Sequence, residues 1–299
     1  MQSPFSDPAD HRSFQRWRDR KLAHYPRTVD ELVVEIDDPR RLSSAEREAL
    51  RTRCAKANMA VYHLRHDLRG PPLRDALREF GRQLGLERLD RGPGLERDGI
   101  VALSATPARR EHEYIPYTDR PINWHTDGYY NPPGDQVRAV IMHCAVPGAS
   151  GGANRLFDPE MAYLLLRERD PAYVAALARP DAMTVPANLQ GERVLRPARR
   201  GPVFSCNPDD GTLHMRYTAR SRSIVWSDRA PLPAAVETLE TLLGTTPDHS
   251  FEVRLGPGEG IVCNNVLHTR AGFSDAPDQR RLLLRARYHE RIAGTTCFT

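Results

Sequence analysis

Hydrophobic and polar positions in the first hundred residues alternate between the spacing of helices and the spacing of strands. The pattern predicts a helix at residues 10–24, a strand at residues 31–36, a helix that begins at Ser43 or Ser44, a strand at residues 59–64 and a helix at residues 75–84. Such alternation is typical of an α/β arrangement. We therefore expect residues 1–98 to form an α/β extension at the N-terminal end of the domain.

Beyond residue 98 the pattern changes to short strands separated by proline and glycine. Asp158-Pro159 and Asp170-Pro171 each place a helix-capping residue before a proline, which predicts two short helices in an insertion at about residues 158–180. A third helix is predicted at residues 233–243. Many short strands are typical of a sandwich or a jelly roll. The strands are predicted at residues 100–105, 122–130, 138–145, 202–206, 213–217, 250–255, 260–264 and 281–289.

The composition excludes several classes of protein. Hydrophobic residues make up 39% of the 299 residues, and no apolar run is long enough to cross a membrane. The N-terminal residues are polar and lack the apolar stretch of a secretory signal, so we expect a cytoplasmic protein. The 5 cysteines are widely scattered, which is typical of free thiols in a reducing compartment.

The charge of the chain indicates the kind of partner. Lysine and arginine number 43 against 39 acidic residues, which gives a formal net charge of +4. These charges are spread along the chain rather than concentrated in one segment, so nucleic-acid binding is not indicated. An acidic small-molecule substrate is the expected partner.

One short motif and one distant histidine supply a candidate set of metal ligands. His125 and Asp127 are separated by one residue in a predicted strand, and the period of two points both side chains to one face. His268 follows a later predicted strand and supplies a third ligand. Two histidines and one carboxylate form the facial triad of non-haem Fe(II) oxygenases, which leaves metal positions open. The alternative explanation of the motif is a polar turn before Gly128.

The last predicted strand carries three arginines on one face and apolar residues on the other. Three arginines together indicate an anionic partner, although an edge strand with its charges in water is the alternative. The arginine face carries Arg281, Leu283, Arg285 and Arg287, and the opposite face carries Leu282, Leu284, Ala286 and Tyr288.

In combination these motifs resemble a known family. The segments are NWHTD at 123–127, a glycine pair at 151–152, NNVLHTRAGF at 264–273 and QRRLLLR at 279–285. Their order and spacing resemble the iron- and 2-oxoglutarate-dependent dioxygenases of the taurine dioxygenase (TauD/TfdA) family. The form of NNVLHTRAGF and the segment HMRY at 214–217 are similar to the branch that contains glutarate 2-hydroxylase and clavaminate synthase. The resemblance implies a single domain of residues 1–299, mainly β with flanking helices (α+β), with a double-stranded β-helix (jelly roll) core at residues 99–299.

The resemblance also implies roles for single residues. His125, Asp127 and His268 would form the catalytic centre and bind Fe(II), with O2 as a co-substrate. Arg281 would bind the distal carboxylate of the co-substrate 2-oxoglutarate, because its planar fork matches a carboxylate. Asn154 would assist at a position where the family has threonine. Arg216, Tyr217 and Arg285 would contact the substrate.

The implied reaction is hydroxylation of an unactivated C–H bond with release of succinate and CO2. The expected substrate is a small carboxylate or amino acid, anionic or zwitterionic, but not taurine, because Pro121 replaces a substrate-binding asparagine. Family analogy suggests a homo-oligomer. The alternatives are a cupin-like metal-dependent isomerase or lyase that does not use 2-oxoglutarate, and a nucleic-acid oxidative demethylase.

Overall fold

The computed structural model describes residues 3–66, 68–90, 98–105, 115–220, 224–245 and 247–296. The helices are α1 (His11–Leu22), α2 (Ser44–Ala57), α3 (Gly70–Gln83), α4 (Pro159–Arg169), α5 (Pro171–Leu177) and α6 (Leu232–Gly244). The strands are β1 (Val33–Ile36), β2 (Met59–Leu64), β3 (Val101–Leu103), β4 (Ile122–His125), β5 (Ala139–Val146), β6 (Ser150–Gly151), β7 (Asn154–Phe157), β8 (Met183–Val185), β9 (Asn188–Gln190), β10 (Arg193–Arg196), β11 (Arg199–Gly201), β12 (Phe204–Cys206), β13 (Leu213–Met215), β14 (Val225–Trp226), β15 (Phe251–Val253), β16 (Glu259–Cys263), β17 (Leu267–Arg270), β18 (Phe273–Ser274) and β19 (Leu282–Tyr288).

Two sheets form the centre of the molecule. The larger sheet has six strands in the order β1-β2-β16-β5-β19-β3, and the smaller has four in the order β15-β7-β17-β4. In the larger sheet β1 and β2 pair in parallel, whereas β16, β5, β19 and β3 pair antiparallel. Met142 of the larger sheet and His268 of the smaller line the same cavity, so the sheets face each other. This arrangement confirms the predicted jelly roll with flanking helices.

Alternating side chains of the larger sheet pack into two separate cores. On β2, Val61 packs between the two sheets, whereas Tyr62 packs toward the helices and lies 4.9 Å from Phe80 of α3 between ring centroids. On β19, Leu283 faces the smaller sheet and Leu284 faces the helices. This confirms the predicted two-faced pattern of the last strand, which directs Arg285 toward the space between the sheets.

The helix signals in the sequence are confirmed. Asp158 accepts a hydrogen bond from the backbone of Glu160 at 2.8 Å, and α4 starts at the proline between them. Ser43 and Glu46 form a reciprocal capping box at the start of α2. Within the described residues, none of the helices combines the length and apolar character needed to cross a bilayer.

Several predicted strands are shorter than expected, and two of them carry candidate site residues. The strand predicted at residues 122–130 ends at His125, and the one predicted at 213–217 ends at Met215. The first ends early because the chain turns at Asp127 and Gly128. Gly128 has a φ of +67°, and a Cβ there would lie 2.5 Å from Cγ2 of Val137. Glycine is therefore required at this turn.

Candidate active site

His125, Asp127 and His268 converge between the two sheets. His125 on β4 and His268 on β17 are directly paired across antiparallel strands, and their ring centroids are 4.1 Å apart. One ligand atom from each of the three residues lies within 4.8 Å of the others. The distant histidine and the short motif thus meet because β17 pairs with β4.

Hydrogen bonds set the tautomer of both histidines. Nδ1 of His125 lies 2.9 Å from the carbonyl of Asn123, and Nδ1 of His268 lies 3.0 Å from the carbonyl of Val266. A carbonyl can only accept, so each Nδ1 carries the proton and each Nε2 keeps its lone pair. Burial, followed by the nearby His268, lowers the pKa of His125 to about 3, which favours a neutral ligand.

Asp127 lies in the turn after β4, so the prediction that it shares a strand face with His125 is wrong. Asn265 holds the turn instead: its Oδ1 accepts from the Asp127 backbone N–H at 2.8 Å, and its Nδ2 donates to the Asp127 carbonyl at 2.9 Å. Thr126, between the two ligands, exchanges hydrogen bonds with the backbone of Tyr217. The carboxylate is therefore positioned by a clamped turn rather than by strand alternation.

The two carboxylate oxygens of Asp127 have different environments. Oδ1 accepts from Nη1 of Arg285 at 3.1 Å. Oδ2 is buried and has no hydrogen-bond partner among the described residues. Burial opposes ionisation, but Arg285 and Arg287 outweigh it and hold the pKa of Asp127 below its usual range. An ionised, orphaned oxygen beside two imidazole lone pairs fits a divalent metal such as Fe(II).

Arg281 and Asn154 line a narrow cavity next to the triad. Arg281 is 4% exposed, its guanidinium carbon lies 4.7 Å from the centroid of the Phe273 ring, and no described residue accepts a hydrogen bond from its guanidinium. Burial lowers its pKa. Gly152, at a φ of +76°, allows Arg281 to lie close to the backbone. A Cβ added at this position would lie 3.3 Å from Nε of Arg281. A buried cation without a protein partner is a site for an anion.

A larger cavity of about 430 Å³ opens on the other side of the triad. It shares His125 and Arg285 with the narrow cavity, so the two adjoin each other. Among the described residues that line it, Asp127 is the only acid, and four are arginines. The polar and aromatic wall includes Tyr117, Tyr129, Tyr130, Arg196, Arg220, Arg285 and Arg287.

Of the three residues predicted to contact substrate, Arg285 lines the cavity, whereas Arg216 and Tyr217 do not. The Arg216 guanidinium donates to three backbone carbonyls, at distances of 2.7, 3.3 and 2.9 Å. Tyr217 is 1% exposed and packs near Trp226 in the core. Both residues therefore shape the walls around the site rather than facing its interior.

Sequence reasoning missed one residue that the site uses and gave two others no separate role. Asn265 clamps the metal-binding turn and has a φ of +52°, and an NN pair before the distal histidine is the signal that could have identified it. Tyr130 and Arg287 line the cavity and hydrogen-bond to each other at 3.0 Å. The alternation of the last strand placed Arg287 on the arginine face, and the fold brings that face to the cavity.

Comparisons with known proteins show what the chain is similar to. A model of the taurine catabolism dioxygenase TauD, TfdA family matches residues 19–287. A uridine-5′-phosphate dioxygenase from Amycolatopsis sp is 34% identical over 172 residues, which cover 56% of this chain and 60% of that relative. The match thus spans less than two thirds of that relative's length. A uridine-5′-phosphate dioxygenase from Streptomyces sp is 27% identical over 197 residues, 64% of this chain and 70% of that relative.

A solved structure with the same fold is that of the non-haem iron oxygenase OrfP in complex with Fe, succinate and (3S)-hydroxy-L-Arg. It superposes with a TM-score of 0.62 at 15% sequence identity, and the alignment covers 84% of this chain and 82% of that chain. At this identity the similarity supports the jelly-roll fold.

Proposed function

Because this chain belongs to the taurine catabolism dioxygenase TauD, TfdA family, we propose that it is a non-haem Fe(II) dioxygenase that uses 2-oxoglutarate and O2 as co-substrates. The observation that carries the proposal is the pairing of two features. The triad of His125, Asp127 and His268 lies beside a narrow cavity that Arg281 also lines. Arg281 is buried, and no described residue accepts a hydrogen bond from its guanidinium. A metal ligand set and a carboxylate-binding cation are the two protein elements that this co-substrate requires.

Each residue has a defined task in this proposal. The Nε2 atoms of the two histidines and the Asp127 carboxylate hold the metal. Arg281 pairs with the distal carboxylate of 2-oxoglutarate by a charge-assisted, two-pronged hydrogen bond. Asn154, 2% exposed in the same narrow cavity, offers its amide to that carboxylate. The chemistry that Fe(II) supplies when bound is activation of O2, coupled to decarboxylation of 2-oxoglutarate to succinate and CO2 and to hydroxylation of a substrate C–H bond.

The substrate that we propose is a small anion, with uridine-5′-phosphate as the first compound to test. Two curated relatives are dioxygenases of this nucleotide. The larger cavity has a volume of about 430 Å³, which suits a small molecule, and its four arginines favour a phosphate. The nucleotide is anionic, as the sequence leads us to expect, but it carries a phosphate in place of the expected carboxylate or amino-acid group. Arg285, which faces both the triad and the larger cavity, is placed to contact the anionic group.

Substrate-dependent succinate release tests this function. Iron-loaded protein is incubated aerobically with 2-oxoglutarate and either uridine-5′-phosphate, uridine or taurine, and succinate is measured in each. We expect uridine-5′-phosphate to stimulate succinate formation above the other two, and Asp127→Ala to abolish it while the circular dichroism spectrum stays unchanged. Turnover of a substrate without any 2-oxoglutarate requirement would instead indicate the cupin-like isomerase or lyase.

A further inference from the structure

The hydroxyl of Tyr130 lies in the wall of the larger cavity and is held there by a buried ion pair. Arg287 donates from Nη1 to the Tyr130 oxygen at 3.0 Å, and its Nη2 lies 2.6 Å from Oδ2 of Asp90. The side chains of Arg287 and Asp90 are each 6% exposed, and Asn131 donates to Oδ1 of Asp90 at 3.0 Å. Arg287, itself held by Asp90, therefore fixes the position of the phenol oxygen.

This contact determines where the Tyr130 proton points. A guanidinium has donors only, so the phenol oxygen is the acceptor in its bond with Arg287 and its own O–H points elsewhere. In the described part of the chain, no group accepts that proton. Because Tyr130 lines the cavity, a molecule that occupies the cavity can supply the acceptor.

The charges around Tyr130 indicate what kind of acceptor fits. Arg287 lines the same cavity, and the guanidinium of Arg196 lies 5.9 Å from the centroid of the Tyr130 ring. Asp90, the acid behind Arg287, is already paired with it. A phenol that accepts from a cation becomes a stronger donor, and the surrounding positive charge favours a negatively charged oxygen.

We propose that Tyr130 is a substrate-binding residue that donates a hydrogen bond to an anionic oxygen of the substrate, and that Asp90 and Arg287 are positioning residues that act through it. This inference rests on the proposed function, with uridine-5′-phosphate as the probe. It adds a donor from the turn after β4 to the cation that Arg285 supplies from β19.

The test is calorimetric binding of uridine-5′-phosphate to anaerobic protein loaded with Fe(II) and 2-oxoglutarate. Tyr130→Phe removes only the hydroxyl, and we expect it to raise Kd by about 10-fold to 100-fold, as for the loss of a hydrogen bond to a charged group. Tyr288→Phe is the matched control, because that hydroxyl is on β19 but faces the helices, and its Kd should equal that of the native protein.

A double-variant comparison tests the positioning role. Asp90→Asn weakens the hold on Arg287, so we expect it to raise Kd by itself, by less than Tyr130→Phe does. In a Tyr130→Phe background it should add no further increase, because the group through which it acts is gone. Effects of the two substitutions that multiply would overturn the positioning role of Asp90.

The outcomes separate this inference from the proposed function. If native protein binds the nucleotide and Tyr130→Phe binds it equally well, the role of Tyr130 is wrong and the proposed function stands. If native protein with Fe(II) and 2-oxoglutarate bound does not bind the nucleotide at all, the proposed substrate is wrong, and the inference fails with it.

Discussion

Replacing Arg281 with methionine removes the cation that we assign to 2-oxoglutarate but keeps an unbranched apolar stem against Phe273. Arg281 is 4% exposed, its guanidinium carbon lies 4.7 Å from the centroid of that ring, and no described residue accepts a hydrogen bond from the guanidinium. In the native protein the co-substrate carboxylate therefore meets a desolvated donor that has no competing partner. Methionine has neither a positive charge nor a hydrogen-bond donor for that carboxylate.

The expected magnitude follows from this burial. Truncating one partner of a buried, hydrogen-bonded charge pair costs about 2–5 kcal/mol. At about 1.4 kcal/mol per factor of ten, the Kd for 2-oxoglutarate should rise by roughly 30-fold at the lower limit and several thousand-fold at the upper. The unfolding free energy of the protein without ligand should not fall, because no described residue accepts a hydrogen bond from the buried guanidinium that the substitution removes.

The assay is calorimetric titration of 2-oxoglutarate into anaerobic Fe(II)-loaded protein, combined with urea unfolding of the same variant. Arg280→Met is the matched control, because Arg280 is exposed and adjacent, and its Kd should equal that of the native protein. An unchanged Kd in Arg281→Met would refute the assignment and move the carboxylate to Arg285. A large loss of unfolding free energy would show that Arg281 has a structural role instead.

Three further changes test the scaffold, each by urea unfolding. Asn265→Ala removes three hydrogen bonds, two to the Asp127 backbone in the metal-binding turn and one to the Val137 carbonyl, and should lower the unfolding free energy by about 2–4 kcal/mol; no loss would contradict the clamp. Lys21→Met leaves the buried carboxylates of Asp158 and Glu160 without their ammonium partner, 2.6 and 2.7 Å away, and should cost about 3–5 kcal/mol. An effect below about 1 kcal/mol would contradict that pairing. Burial lowers the pKa of His214 from 6.5 to about 3, so the unfolded state binds its proton first, and stability should fall as pH drops below 6.5. The fall should be shallower in His214→Gln, and identical profiles would contradict the assigned shift.

Local signals in the sequence predicted much of the fold. The Asp-Pro pairs at 158–159 and 170–171 fixed the start of α4 and α5, since a cap and a proline act within one helical turn. The alternation of residues 281–289 predicted which side chains face the helices. The short strands of the 183–201 region escaped prediction, because two to four residues carry too little periodicity.

The candidate site was predictable in its residue types but not in its geometry. The family motif named the triad, yet Asp127 is positioned by Asn265 from a distant part of the chain, and strand periodicity carries no such information. The place of Arg216 in the HMRY motif predicts that it contacts the substrate. Its guanidinium instead binds backbone carbonyls, and only the fold brings those acceptors together. Tyr130 acquires its orientation from Arg287, again through tertiary contact.

Anaerobic titration of metal-free protein with Fe(II) and then 2-oxoglutarate tests the central claim most directly. A keto acid chelated to iron gives a visible charge-transfer band. We predict that the band appears in native protein and is lost in Asp127→Ala at unchanged circular dichroism. Absence of the band in native protein with iron bound, or its full retention in Asp127→Ala, would contradict the assignment of this site to Fe(II) and 2-oxoglutarate.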